Sequence, residues 1–117
     1  MGFEVSDLER SARFYDPVMY ALGGRRMFEG PGAIAYGVDK PKLWIVARGR
    51  EPAPGFGHVA IVAAGKAAVE AAFKAGMKHG GRDDGAPRPR PQYGPSYYAA
   101  YLLDPDGYRV EVVSGGS

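Results

Sequence analysis

Apolar residues recur at helical spacing in two stretches of the chain. In the first stretch, the apolar positions are three or four residues apart: Leu8, Ala12, Tyr15, Met19 and Leu22. The letters SDLE before it are typical of a capping box, in which Ser6 and Glu9 bond to each other's amide groups, so we predict that this helix begins at Ser6. Pro17 has no amide hydrogen, so the helix should kink or restart there. The glycine pair at 23–24 should end it.

The second helical stretch is rich in alanine and runs from Lys66 to Lys78. Its small and apolar residues share one side of the predicted helix: Val69, Ala72, Phe73 and Gly76. The glycine pair at 80–81 should end this helix. Short runs typical of strands surround both helices and are separated by Gly, Pro and Asp. The predicted strands are 2–5, 25–28, 33–38, 43–47, 58–63, 96–103 and 108–113.

The order of these elements repeats, because a strand, a helix and further strands occur twice along the chain. Aligning the halves places 59–64 over 1–6 and 110–112 over 43–45. Since strand side chains alternate between two faces, Phe3 and Ile61 should face the helices. The opposite, helix-free face should carry Glu4, Trp44, His58 and Glu111. A shift of one residue in register would reverse this assignment.

Two such repeated units, with a histidine opening the second unit and a glutamate in its last strand, resemble the vicinal oxygen chelate superfamily, and within it a glyoxalase-like subgroup. The segments that carry the resemblance are GFEVSDLERSARFYD, GFGHVAIVA, GRDDGAPRPRPQYGPSYYAAY and YYAAYLLDPDGYRVEVV. The resemblance implies an α+β fold of two tandem βαβββ units, whose paired curved mixed sheets form an open cavity. We expect a single domain over 1–117, with unit one at 1–50 and unit two at 56–114, and a homodimer.

In metal-dependent members of this superfamily, the ligands come from the first and last strand of each unit. By this resemblance, His58 and Glu111 match two ligand positions for a divalent metal such as Zn, Ni, Mn or Fe. Trp44 occupies the place equivalent to Glu111 in unit one, and the equivalent of His58 would precede Met1. With only two protein ligands, substrate or water would have to complete the metal shell.

His58 and Glu111 also have simpler interpretations. His58 could open a strand and bond to a loop carbonyl, and Glu111 could pair with Arg109 on the same face. Without a metal, Glu111 could still act catalytically as a general base. If DPDG is a four-residue hairpin loop, Ala100 lies opposite Glu111 and leaves room for a ligand.

The segment 82–96 is predicted to be a loop that its prolines stiffen. We expect either a solvated crossing loop or a lid whose Arg and Tyr groups hold an anionic or aromatic substrate. Trp44 and Tyr98 would form an apolar wall, or else belong to the core. The predicted substrate-binding residues are Trp44, Arg88, Arg90, Tyr93, Tyr98 and Arg109.

Charge and composition narrow the class of partner. The 15 basic and 13 acidic residues leave a net charge of +2, which is too balanced to favour nucleic acid or an anionic membrane. The absence of cysteine excludes disulfides and thiolate catalysis. No segment resembles a signal peptide or a long apolar span, so we expect a cytoplasmic protein that binds a small-molecule substrate.

Three functions remain open at this stage. The first is a glyoxalase-like enzyme, either a metal-dependent lyase or isomerase or a dioxygenase, that acts on a substrate with vicinal oxygens. The second is a metal-free binding protein of the bleomycin-binding type, although a cationic drug would suit a basic protein poorly. The third is a scaffold whose cavity is filled by its own side chains.

Overall fold

The structure, a computed structural model, describes residues 1–52 and 58–115. Its helices are α1 (Leu8–Ala21) and α2 (Lys66–Lys78). Its strands are β1 (Gly2–Val5), β2 (Arg25–Gly30), β3 (Ala33–Gly37), β4 (Pro41–Ala47), β5 (His58–Val62), β6 (Arg82–Pro89), β7 (Tyr98–Leu103) and β8 (Arg109–Ser114). The predicted α+β fold is confirmed. The predicted start of unit two at 56 and the GFG letters before His58 lie outside the described residues.

Two four-stranded sheets share the same strand order. The first sheet is ordered β1-β4-β3-β2 and the second β5-β8-β7-β6. In each sheet, the strand before the helix runs parallel to the last strand, and the other pairs are antiparallel. The internal repeat predicted from the sequence is therefore visible in the topology. Its consequence for the site is that β5 lies directly beside β8.

The start of α1 differs from the prediction. Asp7 is the N-cap, and its carboxylate accepts a hydrogen bond from the Arg10 amide at 3.0 Å. The capping box at Ser6 is wrong, because the Ser6 hydroxyl instead donates to Asp106 Oδ1 at 2.6 Å, in the loop between β7 and β8. The helix runs through Pro17 to Ala21 and does not restart at the proline.

The predicted loop 82–96 is wrong over its first half, which forms the edge strand β6. Register shifts interrupt its pairing with β7 on both sides of Gly85. An edge strand with bulges tolerates prolines, because its outer amides need no partner in the sheet. Because this segment contains four prolines, its sequence did not predict the strand that completes the second unit.

The pairing of β7 with β8 is shifted by one residue from the prediction. Tyr101 lies opposite Glu111, and Ala100 lies opposite Val112. The connecting loop is longer than DPDG, since the Asp104 amide bonds to the carbonyl of Tyr108 at 2.8 Å. Because side chains alternate along a strand, Tyr98 turns toward α2 and Tyr101 toward the helix-free face.

The two helices pack against each other, and one hydrophobic core contains residues from both units. A methyl group added at Gly76 of α2 would lie 2.7 Å from Leu102 and 3.1 Å from Phe14, so this glycine permits the close approach of the helices. At the centre, the Tyr15 hydroxyl donates to Asp104 Oδ2 at 2.6 Å. Asp104 is fully buried, and burial raises the pKa of its carboxyl.

We expect Tyr15→Phe to lower the free energy of unfolding by about 1–3 kcal/mol, because a buried carboxylate oxygen loses its partner. Urea denaturation measures this change. Tyr20→Phe is the matched control, since Tyr20 is 82% exposed on the same helix, and it should change stability by less than about 0.5 kcal/mol. Equal stabilities of the two variants would contradict a structural role for the Tyr15–Asp104 bond.

Candidate functional site

The pairing of β5 with β8 brings His58 and Glu111 together on the helix-free face of the second sheet. His58 lies opposite Arg109 and Ala60 opposite Glu111, so the two candidate ligands are diagonal neighbours. His58 Nε2 and Glu111 Oε1 are 3.4 Å apart. Glu111 is only 6% exposed, whereas the His58 side chain is about half-exposed. A buried carboxylate thus lies at the bottom of the site and an accessible imidazole at its edge.

The second oxygen of Glu111 has a partner that sequence reasoning missed. The Tyr97 hydroxyl donates to Glu111 Oε2, and the Tyr97 ring packs on Tyr93 with centroids 5.3 Å apart. This hydrogen bond, with burial and the negative charge of Glu111, raises the pKa of Tyr97 from 10.0 to about 12. Alternation from Tyr101 assigns Tyr97 to this face, but only once the register of β7 is known.

Tyr101, directly opposite Glu111, forms the neighbouring part of the site. Guanidinium groups lie over its ring, that of Arg109 at 4.0 Å and that of Arg90 at 4.8 Å from the centroid. Arg109 also donates to Asp84 at 2.8 Å. The simpler interpretation in which Glu111 pairs with Arg109 is therefore replaced by an Arg109–Asp84 ion pair.

The remaining predicted substrate-binding residues are only partly brought together. Arg88 is exposed in β6 opposite Ala99, and Tyr93 is exposed in the short 3-10 helix that follows β6. Trp44 lies on the helix-free face of the first sheet, with its ring 5.4 Å from that of Phe28. Tyr98 packs toward α2.

The predicted wall of Trp44 and Tyr98 is wrong. The Tyr98 hydroxyl donates to Glu70 of α2 at 2.6 Å, and its ring belongs to the hydrophobic core. The alternative that the sequence left open for Tyr98, ordinary core packing, is the correct one. The cause is the same one-residue shift of β7 that places Tyr101 opposite Glu111.

The donor atoms of His58 and Glu111 are of the types that bind a metal, but two protein donors are too few for a complete metal site. An imidazole nitrogen and a carboxylate oxygen suit Zn, Ni, Mn or Fe. Within 1–52 and 58–115, however, no three His, Cys, Asp or Glu residues are grouped so that they could hold a metal ion. Glu4, on the helix-free face of the first sheet, accepts a hydrogen bond from Arg50 Nε at 2.7 Å, and Arg50 lowers the pKa of its carboxyl. His58 and Glu111 would thus supply only two ligands.

A groove of about 250 Å³ lies between β5 and the hairpin of β3 and β4. Its apolar lining includes Met19, Leu43 and the exposed Val62, and Lys40 and Lys42 contribute to its rim. Glu111 does not line it. No helix in the described part of the chain is long and apolar enough to cross a membrane.

The chain is similar to known proteins both in sequence and in fold. The family model of the Glyoxalase/Bleomycin resistance protein/Dioxygenase superfamily matches residues 2–112. A glyoxalase/bleomycin resistance protein from Albidiferax ferrireducens T118 is 25% identical and superposes with a TM-score of 0.82, covering 97% of this chain and 93% of its own. No curated protein matches the sequence.

Two further solved structures share the fold at lower identity. Lactoylglutathione lyase from Agrobacterium tumefaciens is 21% identical, with a TM-score of 0.70, covering 99% of this chain and 91% of its own. A fosfomycin resistance protein from Mesorhizobium loti is 22% identical, with a TM-score of 0.69, covering 98% and 88%. Relatives with the same fold thus include both a lyase and a resistance protein.

We expect Glu111→Gln to lower the pKa of Tyr97 from about 12 toward its ordinary value of 10.0, because the phenolate would no longer form beside a carboxylate. The ¹³C NMR signal of the tyrosine Cζ, followed as the pH is raised, measures this shift. Glu70→Gln is the matched control, since it removes the carboxylate beside Tyr98 and should leave Tyr97 unchanged. An unaltered Tyr97 titration in Glu111→Gln would contradict the contact.

Proposed function

This chain belongs to the Glyoxalase/Bleomycin resistance protein/Dioxygenase superfamily, and on that basis we propose that it is an enzyme that acts on a small molecule with vicinal oxygens. The observation that carries the proposal is the meeting of His58 and Glu111 at 3.4 Å on the helix-free face of the second sheet. A buried carboxylate beside an accessible imidazole, in an aromatic surrounding, is an arrangement that proton-transfer enzymes use.

His58 and Glu111 are the residues that would hold a divalent metal in this proposal. Tyr97 donates to Oε2 of Glu111, so Oε1, which lies near His58, is the oxygen that would hold a metal. A bound metal would polarise the vicinal oxygens of the substrate and stabilise negative charge that develops on them. Zn, Ni, Mn and Fe all accept this pair of donors, and substrate or water would supply the rest.

Glu111 is the proposed general base. Its burial removes water that would otherwise compete for the carboxylate, and the Tyr97 hydroxyl fixes the rotamer from one side. When no metal occupies Oε1, a proton on a carbon next to a carbonyl group could pass to that oxygen. This proton transfer favours a lyase or isomerase reaction over a dioxygenase reaction. The exposed Tyr93 provides a surface on which the substrate packs.

A metal-free small-molecule binding protein is the second candidate function. The observation that favours it is that protein groups already face both oxygens of Glu111, while the described residues offer no third donor. In this case a ligand would be held against the aromatic pairs, Tyr93–Tyr97 on the second sheet and Phe28–Trp44 on the first. The net charge of +2 argues against a cationic ligand.

Reconstitution with Zn, Ni, Mn and Fe followed by elemental analysis tests the metal site. We expect His58→Ala and Glu111→Ala each to lower the bound metal at least about tenfold, because one of two protein ligands is lost. His79→Ala is the matched control, since His79 lies at the end of α2. Equal metal content in the wild type and both site variants would contradict the metal site and favour the metal-free binding protein.

The proposal includes a homodimer. Superfamily members commonly form dimers, and β5 has one edge that no described strand covers. Val62 at the end of β5 is 77% exposed and lines the apolar groove. A second copy seated there would bury this edge and could complete a site that has only two donors within one chain.

We expect Val62→Asp to convert the dimer to a monomer, because a carboxylate would be buried at the contact. Light scattering after size exclusion gives the mass. Tyr20→Asp is the control, since Tyr20 is an exposed apolar residue on α1 outside the groove. If the Val62→Asp variant remains a dimer, the contact between the copies lies elsewhere. A monomeric wild type would exclude the homodimer.

A further inference from the structure

Arg90, between β6 and β7, is a buried cation without a carboxylate partner. It is 6% exposed. Its Nε donates to the carbonyl of Ala99 at 3.2 Å and its Nη2 to the carbonyl of Ala86 at 3.1 Å. Among the described residues, no carboxylate lies within 4.0 Å of its guanidinium. Buried charges in proteins are normally paired, since an unpaired one is costly.

The guanidinium keeps hydrogen-bond donors that the protein does not use. Arginine has five N–H groups, and the described contacts of Arg90 involve only Nε and Nη2. Within the described residues, the one enclosed side-chain polar atom without a partner is Ser11 Oγ. The unused donors of Arg90 therefore remain in reach of solvent, although most of the side chain is buried.

The backbone of β6 makes room for Arg90 and Tyr101. Gly85 has φ +148°, in the region that favours glycine, and it lies at the bulges of β6. A methyl group there would lie 3.0 Å from Tyr101 Cδ2 and 3.1 Å from Arg90 Nη2. Any side chain at this position would displace the arginine or the ring.

Arg90 lies beside the aromatic ring that neighbours Glu111. Its guanidinium lies 4.8 Å from the centroid of Tyr101, the residue opposite Glu111. Arg109 shares the same ring, but Asp84 neutralises its charge at 2.8 Å. Arg90 is thus the buried positive charge of this face that lacks an acidic partner among the described residues.

We propose that Arg90 is an anion subsite, and that the substrate of this protein carries a carboxylate or phosphoryl group. The planar fork of a guanidinium matches two oxygens of such a group, and the low local polarity strengthens the contact. That the anion belongs to the substrate rests on the proposed function. The anion subsite itself does not depend on the proposed function, because it is inferred from the geometry of Arg90 alone.

Titration with acetate and with methylphosphonate at matched ionic strength tests the subsite and distinguishes the two anion classes. The ¹⁵N NMR signal of Arg90 Nε should shift on addition of at least one of them. We expect Arg90→Lys, which keeps the charge but loses the fork, to weaken that anion at least about tenfold. Arg13→Lys is the matched control, since Arg13 is an exposed arginine of α1 outside the segment 82–96, and should bind as the wild type does.

Two results would overturn the subsite. The first is an Arg90 signal that neither anion shifts in the wild type, a measurement that remains decisive even if Arg90→Lys fails to fold. The second is equal weakening by Arg13→Lys and Arg90→Lys, which would indicate a diffuse positive field. Loss of metal from the proposed site, measured with His58→Ala, leaves anion binding intact, so failure of the two proposals is distinguishable.

Discussion

The buried carboxylate of Asp104 is the constraint on which the site depends. Its Oδ1 accepts the amides of Asp106 and Tyr108, both at 2.9 Å, and so fixes the course of the loop between β7 and β8. That loop sets the register in which Tyr101 lies opposite Glu111. Through Oδ2 and Tyr15, the same carboxylate joins the second unit to helix α1 of the first. One buried group therefore both holds the loop that sets the strand register and links the two units.

Burial and charge on the helix-free face follow from that register. Glu111 is buried, Tyr97 donates to its Oε2, and His58 Nε2 lies 3.4 Å from its Oε1, so the carboxylate has neighbours without a direct arginine partner. The nearby arginines contact Tyr101 instead. Placing an aromatic ring between carboxylate and cations keeps the carboxylate available to other partners, which a direct ion pair would not.

The two repeated units have the same topology but different chemistry. Trp44 occupies the position in unit one that Glu111 occupies in unit two, and it packs on Phe28. At this position the first sheet therefore presents an aromatic pair, Trp44 and Phe28, and the second a carboxylate. Since the fold of this superfamily supports lyases and resistance proteins alike, the function must be argued from these side chains and not from the topology.

The sequence by itself determined the helices, most strands, the repeat, and the shared face of His58 and Glu111, because these follow from local periodicity and from the likeness of the two halves. Only the tertiary structure decided three features. Asp7 caps α1 because Ser6 is engaged by Asp106. The proline-rich segment forms β6 because an edge strand tolerates proline. Tyr97 and Tyr101 lie beside Glu111 because the amides of Asp106 and Tyr108 bond to the buried carboxylate of Asp104, and these bonds, which alternation along the strands does not reveal, set the length of a loop.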